Sequence, residues 1–103
     1  MSAPSPLRAP FAVPADHACL PGHFPGRPVV PGVVLLDHAF ALILATRPDQ
    51  RIATLESVKF LSPVLPEESV SVEWSESAPD RIGFRASVGD RAVFRGQARL
   101  CAA

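Results

Sequence analysis

The sequence predicts an α+β domain in which one long apolar helix is wrapped by a curved antiparallel sheet. Three observations carry this. The run GVVLLDHAFALILAT, residues 32–46, holds no proline, has glycine only at its first position and is apolar nearly all round. The segments SVSVEWSE, RIGFRASV and RAVFRGQARL alternate apolar and polar residues with period two. Short stretches of turn chemistry, SAPD and VGD, separate them. A helix apolar on every side needs cover on most of them. A sheet with one dry face, curled round the helix, is the economical cover.

The elements follow in chain order. Eight of the twelve prolines lie in the first 31 residues. Proline removes a donor and biases its predecessor away from helix, so this segment is expected to be extended or turning. Residues 1–15 form a proline-rich N-terminal stretch, with a short strand expected near Leu7–Val13. The central helix is expected over 31–46. Pro31 suits a first helical turn, and Pro48 forbids continuation. Residues 50–101 are expected to form the sheet. RIATLESVKFLSPV runs as a first long strand up to Pro63. On the later strands Val70, Val72 and Trp74 share one face, as do Ile82, Phe84, Ala86 and Val88. On the last strand the same face takes Ala92, Phe94, Gly96, Ala98 and Leu100.

Bulk properties bound the function. A chain of 103 residues is one domain, 1–103, and its 48% apolar content can fill a core. So small a domain buries a modest share of its surface, so pairing with a second copy would help it. Ten basic and ten acidic residues balance, which argues against a nucleic-acid partner. The apolar run Val33–Ala45 is interrupted by Asp37 and His38 and is shorter than the ~20 residues of a membrane span. Cys19 and Cys101 fit no metal spacing and are expected to be reduced thiols. MSAPSPLRAPF lacks the apolar core of a secretory leader. A soluble cytoplasmic protein is therefore expected.

One stretch concentrates the punctuation. Residues 21–32 hold four prolines and three glycines, and they end where the apolar helix begins. Within the helix a single acid, Asp37, is surrounded by apolar residues. Such an acid is costly to bury, so Asp37 is expected to be paired, protonated or facing a cavity, or else to reach solvent at a groove edge.

GHFPGRPVVPGVVLLD, Gly22 to Asp37, resembles the active-site segment of the 3-hydroxyacyl-acyl-carrier-protein dehydratases, the FabA/FabZ group of hot-dog enzymes. LESVKFLSPVLPEESV, Leu55 to Val70, resembles that group's following strand and turn. Within the group the chain looks most like the small aryl-polyene-type, ApeI-like dehydratases. The resemblance covers most of the chain and implies the hot-dog fold.

It also implies chemistry. Dehydration of a 3-hydroxyacyl thioester needs a base for the α-proton, a donor for the charge growing on the thioester oxygen, and an acid for the departing hydroxyl. His23 matches the family base, and imidazole accepts a proton near neutrality. Asp37, 14 residues on, matches the acid; it agrees with FabA-type enzymes, whereas FabZ-type enzymes carry glutamate there. Gly32 matches the glycine whose N–H meets the thioester oxygen, at a helix N-terminus where N–H groups lack internal partners. Phe24, Pro25 and Gly26 are expected to fix the loop around His23 and contact substrate. Val33, Val34, Leu36, Phe40 and Phe60 are expected either to line an acyl tunnel or to be ordinary core. His38 adjoins Asp37 but points about 100° away on a helix, so it has no catalytic role in this reading. His17 is unassigned. Arg27, Arg47 and Arg51 are candidates for contact with an acidic carrier protein, or are simply solvated.

The resemblance implies chemistry without a metal or a cofactor, and an acyl-carrier-protein or coenzyme A thioester as the partner. The resemblance implies a homodimer with shared active sites, His23 of one chain facing Asp37 of the other. Two other readings stand beside dehydration: a hot-dog acyl thioesterase, and a catalytically silent acyl-binding hot-dog subunit.

Overall fold

The structure, a computed structural model, describes residues 7–14 and 29–103. Strand β1 (Leu7–Phe11) is followed by helix α1 (Gly32–Ala45). Strands β2 (Gln50–Phe60), β3 (Val70–Ala78), β4 (Arg81–Val88) and β5 (Arg91–Ala102) complete the chain. They form one sheet in the order β1-β3-β4-β5-β2, antiparallel throughout. The strand expected near Leu7–Val13 thus exists and joins the sheet at its edge. There Pro10 is tolerated, because an edge strand needs hydrogen bonds on one side only.

The helix begins one residue later than expected. Pro31 has φ −59° and ψ 146°, an extended conformation, and is the N-cap. Its carbonyl accepts the N–H groups of Val34 at 3.0 Å and Leu35 at 3.2 Å. At the other end Thr46 donates its backbone N–H (3.1 Å) and its hydroxyl (2.7 Å) to the Ile43 carbonyl. Pro48 then prevents another turn.

The dry face of the sheet matches the alternation on β3 and β4. Val70, Val72, Trp74, Ile82, Phe84 and Ala86 are buried against Val34, Leu35, Ala39 and Ile43 of the helix. On β5 the expected alternation breaks at one end. Ala86 pairs with Phe94 but Ser87 pairs with Ala92, so Val93 is an extra residue, a β-bulge. The bulge turns Val93 inward beside Phe94 and leaves Ala92 exposed, which corrects the expected dry position of Ala92. Simple period-two counting cannot register an inserted residue. The freed Val93 carbonyl accepts the N–H of Leu61 at 2.8 Å, fixing the chain just past β2.

Strand β2 carries two more register shifts, at Ile52/Thr54 and Leu55/Ser57. Such shifts bend a strand and increase its twist, which is how a sheet curls round a helix. Gly96 on β5 makes this curl possible. A Cβ there would lie 2.2 Å from the Ser57 carbonyl oxygen and 2.8 Å from the Phe84 ring. Two-residue turns join β3 to β4 and β4 to β5. Asp80 (φ 62°) and Gly89 (φ 57°) adopt the left-handed conformation these turns require.

Among the described residues, the helix is covered on its sheet side only. Val33, Asp37, Ala41 and Ala45 recur every four residues and form an exposed stripe on the opposite side. Asp37, on that stripe, reaches solvent in the chain by itself, because one sheet layer reaches one side of a helix. No helix is long and apolar enough to cross a membrane among the described residues.

Candidate active site

The N-terminus of α1 opens into an apolar pocket. The N–H groups of Gly32 and Val33 donate to no acceptor among the described residues, as first-turn groups do when no side chain caps them. The pocket beside them, about 410 Å³, is lined by Val30, Gly32, Leu35, Phe60, Leu61 and Val64 among others. The Phe60 ring lies over Gly32, so close that a Cβ on Gly32 would sit 2.6 Å from the ring's tip. Phe60 is 47% exposed, so its ring forms a wall of the opening rather than part of the core. Free N–H groups at the positive end of a helix dipole, facing an apolar cavity, suit an oxygen that gains negative charge.

Behind Phe60 the interior is filled by aromatic rings. Phe60 contacts Phe94 (6.1 Å between centroids), Phe94 contacts Phe84 (6.2 Å), and Phe84 meets Phe40 edge-on (5.5 Å). Phe40 is therefore packed against the core, as is Leu36. Val33 is 65% exposed on the open stripe. Of the residues expected to line a tunnel, Phe60 alone borders the pocket at Gly32. Leu35, Leu61 and Val64, which the sequence reading did not single out, border it too. The signal for Leu61 and Val64 lay in the apolar pair flanking the SP dipeptide after β2, which reads equally well as strand.

Asp37 lies five residues beyond Gly32. In a helix that is about 140° round the axis and ~7.5 Å along it. Its carboxyl is exposed and takes part in no ion pair or hydrogen bond among the described residues. The Gly32 pocket and Asp37 thus sit on different sides of the same helix. His38 turns the other way. Its Nδ1 donates to the Val34 carbonyl (2.9 Å), and its ring stacks on Phe11 with centroids 5.2 Å apart. It ties the helix to β1. Arg47 donates to Gln50 at 3.1 Å and lies 3.6 Å from Glu76, while Arg51 is exposed.

His23, Phe24, Pro25 and Gly26 lie outside the described residues, as do His17, Cys19, Gly22 and Arg27. The chain on either side of that stretch is anchored to one turn. The Val13 carbonyl accepts the Glu67 N–H (2.8 Å), and Val30 donates to the Val64 carbonyl (2.8 Å). Val13, Val30 and Val64 are all buried. The turn is itself braced: the Glu68 carboxylate accepts the Leu65 N–H at 2.8 Å and pairs with Arg91 of β5 at 3.1 Å. Those contacts, the Leu65 N–H first, hold the Glu68 carboxyl below its ordinary range. Val13 and Val30 are thus both held by the VLPEE turn, whose Val64 also lines the Gly32 pocket.

A single apolar helix against a curled antiparallel sheet, with its N-terminus open at a pocket, defines a hot-dog protein. The chain belongs to the ApeI-like family, described as ApeI dehydratase, whose model matches residues 3–97. It is 37% identical over 84 residues to a 3-hydroxyacyl-[acyl-carrier-protein] dehydratase FabZ of Koribacter versatilis, covering 68% of this chain and 53% of that protein. The chain thus spans about half the length of the curated relative it matches. Among solved structures it superposes on the dehydratase heterocomplex ApeI:P of Xenorhabdus doucetiae with a TM-score of 0.82 and 22% identity, over 96% of this chain and 89% of that one. It superposes on a point mutant of the fluoroacetyl-CoA-specific thioesterase FlK with a TM-score of 0.71 and 14% identity, over 94% and 87% of the two chains. At these identities the structural matches establish the fold.

Proposed function

We propose that the protein dehydrates a 3-hydroxyacyl thioester, carried by an acyl-carrier protein, to the trans-2-enoyl thioester in cytoplasmic lipid biosynthesis. The observation that carries this reading is the N–H of Gly32 at the head of α1, which has no acceptor among the described residues and opens on an apolar pocket walled by Phe60. Family membership supplies the rest. The Gly32 N–H receives the thioester oxygen. His23, which matches the family's base, removes the α-proton. Asp37 assists departure of the hydroxyl.

The position of Asp37 supports a shared site. It points about 140° from Gly32, out of its own chain, on an exposed stripe with Val33 and Ala41. In this reading that stripe meets a second copy, so each pocket is completed by the other chain's Asp37. Burial of the stripe there would also remove the exposed Val33 from water.

The decisive experiment offers the purified protein 3-hydroxyacyl thioesters and follows enoyl formation and free thiol together. Enoyl product that disappears in His23→Ala is expected. Thiol release without enoyl product identifies a thioesterase instead, since a helix N-terminus with a carboxylate also serves hydrolysis. Neither product from a folded protein identifies a silent acyl-binding subunit.

A further inference from the structure

The outer face of the sheet, opposite the helix, carries a cluster of cations that the proposed chemistry does not use. On β4 Arg81 and Arg85 flank Gly83, and on β5 Arg95 and Arg99 flank Gln97. Register sets Arg85 opposite Arg95, Gly83 opposite Gln97 and Arg81 opposite Arg99, so four arginines frame a glycine and a glutamine. Lys59 of β2 extends the frame beside Arg95. Like charges placed directly opposite destabilise a sheet. Compensation is partial. Glu56 lies 2.7 Å from Arg81 and 3.7 Å from Arg99. Glu73 pairs with Arg85 at 3.0 Å and is shared with Arg8. Arg95 and Lys59 are in no ion pair among the described residues.

The centre of the frame is open. A groove of about 540 Å³ runs over Ser57, Ser75, Gly83 and Gln97, a size common for small-molecule sites. Gly83 has no conformational need to be glycine. Its φ is not positive, and a Cβ there would meet nothing within 4 Å. A glycine inside a strand weakens it and marks a place where a ligand or another backbone comes close. The Ser57 and Ser75 hydroxyls and the Gln97 amide can each donate a hydrogen bond. Those side chains make none among the described residues. Repelling cations and an unneeded glycine are both costs to the chain alone. An anion seated over Gly83 relieves the first and occupies the space left by the second.

We propose that this arginine frame is a binding site for a small molecule carrying two linked phosphates. The excess of positive charge calls for a multiply charged anion. Guanidinium forks meet phosphate oxygens two at a time, and the serine and glutamine side chains supply further donors. Two linked phosphates also suit the width. Four residues of strand separate the two arginine pairs by about 13.5 Å. Arms leaning in from both ends meet an elongated anion better than a single phosphate. Arg95 has no carboxylate to give up and is the first contact. A single-stranded nucleic acid would use aromatic platforms. Trp74 and Phe84, the aromatic residues beside the groove, are buried on the helix side. The site lies on the other face of the sheet from the Gly32 pocket and does not rest on the dehydratase reading.

Inorganic pyrophosphate and ADP are the two probes, titrated by calorimetry and by thermal unfolding at about 150 mM salt. Pyrophosphate should raise the Tm by about 6 °C at ten times its Kd. Equal affinities assign the site to the phosphates alone, and tighter binding of ADP assigns it to a nucleoside diphosphate. Binding of neither probe overturns the site. Arg95→Gln removes the unpaired guanidinium and relieves two like-charge pairs, so its own Tm should not fall. Gly83→Val fills the centre of the frame, leaves every charge in place and improves strand propensity. Each variant should bind pyrophosphate at least ~10-fold more weakly. Undiminished binding by either variant overturns the site. So does an equal rise in Tm from sodium chloride at the same ionic strength, which would show screening of like charges in place of a bound anion.

Discussion

Gly32 shows how a single absent side chain serves two purposes. It leaves a first-turn N–H accessible, and it makes room for the Phe60 ring. Gly32→Ala brings a Cβ to 2.6 Å from that ring's tip, a clash with the end of a movable side chain. The expected result is a stability cost of about 1 kcal/mol and a much larger loss of turnover, because the displaced ring closes the pocket. Gly32→Ala combined with Phe60→Leu should regain both, and a double-mutant cycle in melting and in kinetics checks it. Gly96 is the contrasting case. Its neighbour at 2.2 Å is the Ser57 carbonyl, part of a hydrogen-bonded strand that cannot swing away. Gly96→Ala should cost roughly 3 kcal/mol, measured by denaturant unfolding, with no selective effect on chemistry. For His23→Ala and Asp37→Asn the expectation is reversed: the fold is kept and enoyl formation falls by about 10²–10⁴-fold.

At the scale of elements, the ion pairs tie strands and turns across the solvent face. Glu73 accepts hydrogen bonds first from Arg8 of β1 and then from Arg85 of β4, which hold its carboxyl below the ordinary value of 4.5. Glu68, braced by the Leu65 N–H and Arg91, is shifted the same way. A carboxyl lowered on folding contributes stability that is present above its unfolded pKa and is lost as pH falls through its folded one. The protein should therefore lose stability on acidification below about pH 4.5, the unfolded value. Glu73→Gln should lower the Tm at pH 7 while narrowing its difference from the wild type at pH 3. Both groups are solvent-accessible, so the effect should shrink in high salt. A Tm gap that persists unchanged at pH 3 would mean Glu73 acts by packing instead of charge.

For the whole molecule, the open stripe Val33–Asp37–Ala41 sets the expectation of a two-chain enzyme. Two inactive variants, His23→Ala and Asp37→Asn, should complement when mixed and allowed to exchange. Half the dimers are then mixed and each has one intact site, so roughly a quarter of wild-type activity should return. No recovery, with subunit exchange verified by mass, would place both groups of a site on one chain. Val33→Glu should shift the sedimentation of the protein toward the monomer and abolish turnover together.

The sequence by itself determined much of this protein. Period-two alternation on β3 and β4 named the dry face, and the uninterrupted run after Pro31 named the helix, because each depends on local geometry alone. The motif through Gly32 and Asp37 carried the family. Other features needed the fold. The bulge at Val93 reversed Ala92, since register depends on a partner strand that a linear pattern does not contain. Asp37 proved to lie on an open side, because an apolar helix reads alike whether its cover comes from its own sheet or from another chain. Leu35, Leu61 and Val64 became pocket residues only when the turn after β2 folded back on the helix N-terminus. A basic row on the outer face of the sheet appeared only when its strands set Arg8, Arg85, Arg95 and Lys59 in one register line. A balanced net charge conceals such a row, for charge is summed along the chain but felt across space.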